Sequence, residues 1–304
     1  MNDLLRQRLW IVSGKGGVGK TTLSAALALA AHQQGRRTLV CQVGAEERIA
    51  PLLGHPRCGP VLKEIEPNLW AVAITPEEAL HEYGLMVLRF ERVSKAVFEN
   101  KLVQQFVRFL PSLAELMMLG KVLFHVREKS DSQAWRFDTI VLDAPATGHA
   151  VSFLGVPQAL LDTVPKGPLF DQAQTMRNVL VDPKTTAAIL ATLPEEMPVN
   201  EALELHQTLT ERLAIRVGGI LLNAFEAERF LPEEMAQLSA SPELAVPLAT
   251  QRALQQASRD ALERLTPCGV PICTLPRLRQ SGLDRASIEA LARTLTPWLL
   301  GAAP

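Results

Sequence analysis

The sequence is short of the features that mark secreted, membrane-spanning and nucleic-acid-binding proteins. Its 304 residues include only 4 cysteines, and none of these forms a Cys-x-x-Cys pair, which gives no sign of a zinc site or a disulfide framework. Lysine and arginine total 31 against 32 aspartates and glutamates, so the chain lacks the basic excess of a nucleic-acid surface. No apolar run approaches the length that crosses a bilayer. We therefore expect a cytoplasmic protein with no nucleic-acid partner and no direct membrane insertion.

Short apolar runs bounded by turn residues alternate with longer helical patterns along the chain. The runs are rich in consecutive Val, Ile and Leu, which is typical of parallel strands covered on both faces. The predicted strands are Leu9–Ser13, Thr38–Val43, Leu69–Ile74, Thr139–Asp143, Val217–Leu222 and Val270–Leu275. The first helix is predicted from Lys20 to Gln34, with Gly35 as its C-terminal stop. The fold class is therefore α/β, with a doubly wound and mostly parallel sheet.

Two long segments do not fit simple crossovers between these strands. Residues 77–129 carry apolar side chains at helical spacing, and residues 148–200 are punctuated by prolines. We expect helical insertions at about 77–129 and 148–200, which together form a helical subdomain among the strands. No linker composition separates them from the rest, so residues 1–304 are predicted to form a single domain.

A glycine-rich segment follows the first predicted strand and carries the most specific motif in the chain. It consists of Gly14, Lys15, Gly16, Gly17, Val18, Gly19, Lys20 and Thr21. The segment matches the P-loop pattern in the strand–loop–helix context in which glycines bring backbone N–H groups close to phosphates. We predict that this loop and the adjacent Thr22 bind ATP, with Lys20 on the β- and γ-phosphates and the Thr21 hydroxyl on Mg²⁺.

The predicted strand Thr139–Asp143 is apolar and ends in an acid, which is typical of the Walker B strand of P-loop proteins. Asp143 is therefore expected beside the Mg²⁺ site, where it would hold the water shell of the ion. Gly148 follows shortly and supplies the flexibility that a loop sensing the γ-phosphate needs.

Lys15 makes the phosphate loop resemble the deviant P-loop class, G-K-G-G-x-G-K-[ST]. The string D-A-P-A-T-G-H-x-x-x-F-L-x-x-P from Asp143 to Pro157 narrows the resemblance to the family of arsenite-pump and tail-anchored-protein-targeting ATPases. Segments 110–121 and 193–201 resemble further motifs of that family. The resemblance implies that Lys15 reaches across a dimer interface to the partner's nucleotide, and that Lys15, Lys20 and Asp143 carry catalysis. It also implies that Asn223 hydrogen-bonds adenine.

The chain departs from the family pattern in its first switch segment. The family has an aspartate that positions the attacking water, whereas this sequence has Val43, which can neither orient water nor accept a proton. Glu46 or Glu47 could replace it, although both are also compatible with solvated loop carboxylates. Turnover is therefore expected to be slow or to depend on a partner. The feature resembles paired bacterial members of the family that form heterodimers, and both a homodimer and a heterodimer with a paralogue stay open.

Cysteine is absent between Cys58 and Cys268. Arsenite-pump ATPases hold their metalloid in this region, and soft metalloids need clustered thiolates. No metalloid is therefore expected, despite the family resemblance.

The apolar faces of Val97–Leu110 and Leu113–Val126 have two interpretations. The family uses this region as a groove for a hydrophobic client helix, which methionines such as Met117 and Met118 suit. Apolar helical stripes are more often the core of their own domain. The sequence therefore predicts an Mg²⁺-dependent ATPase that works as a nucleotide-switched dimer on a hydrophobic client. The alternatives are a catalytically weak regulatory subunit and, on weaker grounds, a partition-type positioning ATPase.

Overall fold

The structure is a computed structural model of the chain. It describes residues 4–44, 46–79, 111–228, 230, 234, 238, 242–279 and 282–301. The predicted client face at Val97–Leu110 lies outside the described residues.

An 8-stranded sheet forms the centre of the described fold. Its strands are β1 (Leu9–Ser13), β2 (Thr38–Val43), β3 (Lys63–Glu66), β4 (Leu69–Ile74), β5 (Thr139–Asp143), β6 (Thr186–Thr192), β7 (Val217–Phe225) and β8 (Ile272–Pro276). Their order is β3-β4-β2-β5-β1-β6-β7-β8, in which only the described edge strand β3 pairs antiparallel. The sheet is thus mostly parallel, which confirms the α/β class.

Helices cover both faces of this sheet. They are α1 (Lys20–Gln33), α2 (Ile49–Leu52), α3 (Pro111–Arg127), α4 (Thr147–Thr163), α5 (Pro168–Val181), α6 (Glu196–Gln207), α7 (Ala245–Leu265) and α8 (Arg285–Leu299). Helices α1 and α8 pack with Trp10 and Val12 on one face, whereas α3, α4 and α6 pack with Leu9 and Ile11 on the other. Every residue of β1, β2, β5 and β6 is therefore buried, and these strands show no alternation of polar and apolar residues.

The bounds of β1, β2, β4 and β5 agree with the predicted strands. Helix α1 ends at Gln33, one residue before the prediction, and Gly35 follows with a φ of 75°. Strand β7 extends to Phe225, and β8 begins at Ile272 rather than Val270.

Two strands were not predicted from the sequence. Strand β6 lies inside the range 148–200, which is therefore not helical throughout; α4 and α5 precede the strand and α6 follows it. Its sequence Thr-Ala-Ala-Ile-Leu-Ala-Thr is rich in alanine, which favours helices, but burial between β1 and β7 overrides that local preference. Strand β3 is short and charged, as suits a sheet edge.

Helix α3 contributes its apolar stripe to the core. Met117, Met118, Val122 and Leu123 are all buried in the cluster beneath the sheet. These four side chains of α3 are therefore core residues. Among the described helices, none combines the length and the hydropathy that a bilayer crossing requires.

Candidate nucleotide-binding site

The glycine-rich loop connects the carboxyl end of β1 to the first turn of α1, at the centre of the sheet. Gly14 has a φ of 153° and passes so close to β6 that a Cβ there would overlap the carbonyl oxygen of Ala191. Gly19 caps α1 with a φ of 92°, a conformation that side chains disfavour. The loop thus places its backbone at the positive end of a helix, and glycine is required at Gly14 and Gly19 because a side chain there would collide with β6 or with Asn223.

Lys20 lies on the first turn of α1 and turns back over the loop. Its Nζ donates a hydrogen bond to the carbonyl oxygen of Lys15 at 2.9 Å. Burial lowers the pKa of Lys20, and the negative charges of Asp143 and Glu201 oppose that effect. The ammonium group therefore lies within the loop that its motif assigns to the phosphates.

Thr21 and Asp143, the two predicted ligands of Mg²⁺, lie in direct contact. The Thr21 hydroxyl donates to Asp143 Oδ2 at 2.8 Å, and the Ser24 hydroxyl donates to Oδ1 at 3.1 Å. Burial raises the pKa of Asp143, while these hydroxyl hydrogen bonds and the charge of Lys20 oppose the rise. A hydroxyl and a carboxylate are hard oxygen donors, which fit Mg²⁺ completed by phosphate and water.

Sequence reasoning missed Ser24. It lies 3 residues after Thr21 on α1, and its side chain is fully buried. Helical spacing from Thr21 was the available signal, because residues three apart share a helix face.

The other loop positions differ in exposure. Gly16 and Gly17 are exposed, Val18 is buried, and Thr22 is half-buried on the first turn of α1. Asn223 Nδ2 donates to the carbonyl oxygen of Val18 at 2.9 Å. A Cβ on Gly19 would lie 2.7 Å from the same Nδ2. Asn223 thus fastens the loop from the carboxyl end of β7, while its predicted contact with adenine stays a prediction.

The segment after Asp143 is tied to the phosphate loop through its backbone. The Thr147 N–H donates to the Gly14 carbonyl oxygen at 3.1 Å, and its buried hydroxyl has no hydrogen-bond partner among the described residues. His149 follows on α4 and acts electrostatically on Glu115 of α3. Burial raises the pKa of Glu115, and His149 opposes the rise. Helix α4 also packs against α3, so this segment connects the phosphate loop to α3.

The first switch segment is held by its own side chains. Val43 is 3% exposed and lies in the core beneath the sheet. The two oxygens of Glu47 accept from the N–H groups of Cys58 and Gly59 at 2.6 and 2.7 Å, so Glu47 is a loop anchor rather than a solvated carboxylate. Glu46 is exposed and forms an ion pair with Arg57.

Lys15 makes a different contact from Lys20. Its Nζ lies 2.7 Å from Oε1 of Glu201 on α6, and the two side chains are 27% and 31% exposed. Sequence reasoning placed Glu201 in a family motif but did not pair it with Lys15. Strand β6 lies next to β1, and α6 follows β6. Because β6 was not predicted from the sequence, the position of α6 beside the phosphate loop could not be predicted either.

No group of three or more His, Cys, Asp or Glu residues in the described part of the chain is arranged to hold a metal ion. The four free cysteines are spread over Cys41, Cys58, Cys268 and Cys273. The oxygen donors at Thr21 and Asp143 suit a hard cation that a nucleotide helps to bind.

Known proteins share the sequence that forms this site. The model of the anion-transporting ATPase (ArsA) family matches residues 7–168, which include the phosphate loop and Asp143. ATPase BagA of Mycobacterium tuberculosis is 31% identical over 235 residues, covering 76% of this chain and 68% of the relative. ATPase GET3C of Arabidopsis thaliana is 24% identical over 256 residues, covering 69% and 65%. ATPase GET3 of Kluyveromyces lactis is 26% identical over 187 residues, covering 56% and 53%.

The motifs and the match over half of the chain agree with the fold. Strand β1, which leads into the phosphate loop, lies between β5 and β6, and the Thr21–Asp143 pair joins the first turn of α1 to the end of β5. The chain therefore belongs to the anion-transporting ATPase (ArsA) family of P-loop proteins and is an ATP hydrolase.

Proposed function

We propose that this ATPase requires Mg²⁺ and works as a dimer, in which Lys15 of each subunit reaches the nucleotide bound by the other. The different contacts of the two loop lysines are the observation that carries this proposal. Lys20 is hydrogen-bonded within its own loop, whereas Lys15 makes no such bond to the described residues of the loop and is paired with Glu201 of α6. A cation supplied from the partner would offset the charge that develops on the transferred phosphoryl group.

Each subunit would bind nucleotide with the groups described above. Backbone N–H groups of the loop and the start of α1 hold the phosphates, and Lys20 neutralises their charge. Thr21 and Asp143 would hold Mg²⁺, which supplies further neutralisation between the phosphates when it is bound. Asn223 keeps the loop in place and adjoins the end of β7, where the family resemblance places adenine.

Turnover is proposed to be slow. Val43 is buried and offers no acid, Glu47 is committed to two backbone N–H groups, and Glu46 is paired with Arg57. Water activation would therefore rest on backbone and phosphate groups. The same observation favours a second candidate function, a nucleotide-binding regulatory subunit that gains turnover only with a paralogue.

A hydrophobic client helix is the partner that the family resemblance implies. The described residues leave a cavity of about 770 Å³ between α3 and α5, lined mainly by apolar side chains that include Leu116, Met176 and Val179. Phe124 at its border is 62% exposed. This cavity supports the client proposal and is tested by binding of an apolar helical peptide to wild type and to Phe124→Ser, with ATP and with ADP.

Hydrolysis by the purified chain tests the central proposal. We expect turnover that needs Mg²⁺ and is lost on chelation. Lys15→Ala should keep nucleotide binding but lose turnover by about 10²-fold, the effect of removing one transition-state cation or donor. Full turnover in Lys15→Ala would contradict the dimer with a lysine acting in trans. Turnover that appears only when a neighbouring paralogue is added would support the regulatory alternative.

A further inference from the structure

We propose that Glu201 is a positioning residue that holds Lys15 within its own subunit until the dimer closes. Lys15 would have to leave this carboxylate before it could contact the partner's nucleotide. The inference rests on the proposed dimer and adds to it a control step that depends on one residue.

The position of Glu201 is fixed by packing. Strand β6 pairs in parallel with β1, so the carboxyl end of β6 lies beside the phosphate loop. Helix α6 follows directly and is docked on the sheet by Val199, Ala202 and Leu205, which are almost fully buried. Glu201 lies between these anchors in sequence, and its carboxylate reaches Lys15 Nζ at 2.7 Å.

The same carboxylate acts on both lysines of the loop. It is paired directly with Lys15, and its charge also reaches Lys20. Glu201 therefore links α6 to Lys15. In the proposed dimer, Lys15 must leave Glu201 in order to contact the nucleotide of the other subunit.

This ion pair is weak enough to shift the equilibrium of dimer closure without preventing closure. Both side chains are about a quarter to a third exposed, and ion pairs of this kind shift an equilibrium by about two- to five-fold. Each of the two subunits gives up one such pair on closure, so neutralising Glu201 should favour the closed dimer by the square of this factor, about 4- to 25-fold.

The test measures ATP turnover against protein concentration at saturating ATP and Mg²⁺. Glu201→Gln should lower the half-saturating protein concentration by about 4- to 25-fold and reach a plateau no lower than wild type. Glu204→Gln is the matched control, since Glu204 is exposed on the same helix and should leave the curve unchanged. An unshifted curve for Glu201→Gln, or a plateau below wild type, would overturn the inference.

Two further measurements separate this inference from the dimer proposal. The double variant Lys15→Ala with Glu201→Gln should behave as Lys15→Ala alone, which a purely structural role of Glu201 would not produce. Sedimentation with a non-hydrolysable ATP analogue should show the same shift in dimer formation. Wild-type protein that sediments as a monomer with the ATP analogue at every concentration would refute the dimer, whereas a concentration dependence that Glu201→Gln leaves unchanged would refute only the role of Glu201.

Discussion

At the scale of single residues, Asp143 is the most constrained group of the site. It is buried at the end of β5, and the hydroxyls of Thr21 and Ser24 occupy one oxygen each. Burial alone would favour the neutral acid, so the carboxylate depends on those two hydroxyls and on the nearby charge of Lys20. A bound divalent cation would favour the ionised form further.

Replacing Asp143 by asparagine should remove most of the Mg²⁺-dependent turnover. The amide keeps the size of the side chain but loses the charge that holds the metal, so we expect a loss of at least about 10²-fold. The fold should survive, because the amide oxygen still accepts one hydroxyl. Turnover and thermal unfolding measured together check this, with the exposed Asp260→Asn on α7 as the control. Wild-type turnover in Asp143→Asn would rule out its metal role.

Asp138, which precedes β5, gives a prediction on pH. Its carboxylate accepts from the backbone N–H and the guanidinium of Arg37, which lower its pKa below the ordinary 3.8. A lowered pKa stabilises the fold at pH values above 3.8, and that contribution is lost as the pH falls through the lower value of the folded state.

Asp138→Asn should therefore lower the free energy of unfolding at neutral pH by no more than about 1 kcal/mol, because the pair is partly exposed and screened by solvent. The difference from wild type should shrink in acid. Denaturant unfolding at neutral pH and at about pH 3 checks this. The exposed Asp131→Asn is the control, and a deficit of Asp138→Asn that persists in acid would contradict the account.

At the scale of elements, the connection from β2 to α2 is built around Gln42 and Glu47. The Gln42 side chain donates to the Glu46 carbonyl oxygen and accepts from the Arg48 N–H. Together with the Glu47 anchor, this fixes the first switch segment without any acid in the position of Val43.

Glu47→Gln distinguishes an anchor from a general base. The amide offers one acceptor oxygen in place of two, so one backbone hydrogen bond is lost and turnover should fall by less than about tenfold. A general base would instead cost about 10²- to 10⁴-fold. Comparison of turnover in Glu47→Gln and in the exposed Glu46→Gln makes the distinction, and turnover at background in Glu47→Gln would show that Glu47 replaces the missing aspartate.

Asn223 connects β7 to the phosphate loop. Asn223→Ala removes the donor to the Val18 carbonyl oxygen, so ATP should bind up to about tenfold more weakly, as the loss of a half-buried hydrogen bond entails. Calorimetry or a fluorescent nucleotide can measure this against Asn178→Ala on the surface of α5. Unchanged affinity would mean that Asn223 neither orders the loop nor contacts the base.

The sequence predicted elements and site residues where the signal is local. The apolar runs defined β1, β2, β4 and β5 to the residue, and the loop motif is contiguous from Gly14 to Thr21. Strand β6 was not predicted because its alanines favour a helix, and only its burial between β1 and β7 makes it a strand. The Lys15–Glu201 pair was not predicted because it joins residues more than a hundred positions apart, which only the strand order brings together. Ser24 was not predicted although it lies three residues after Thr21 on the same helix face.

At the scale of the whole molecule, the strand order brings the site residues together along the edge formed by the carboxyl ends of the parallel strands. The carboxyl ends of β5, β1 and β6 lie side by side, so Asp143, the phosphate loop and the start of α6 meet there. This is the edge at which ligands bind in open α/β sheets. The proposed dimer would join two such edges and bring each Lys15 to the other subunit.

Mixing two inactive variants tests this central claim most directly. Lys15→Ala keeps every other site residue but lacks the lysine, and Asp143→Asn keeps Lys15 but lacks the metal carboxylate. Each variant alone should hydrolyse little ATP. In an equal mixture, half of the dimers would contain one complete site, so we predict recovery of up to about a quarter of wild-type turnover. A mixture no more active than either variant alone would show that Lys15 does not act on the partner's nucleotide.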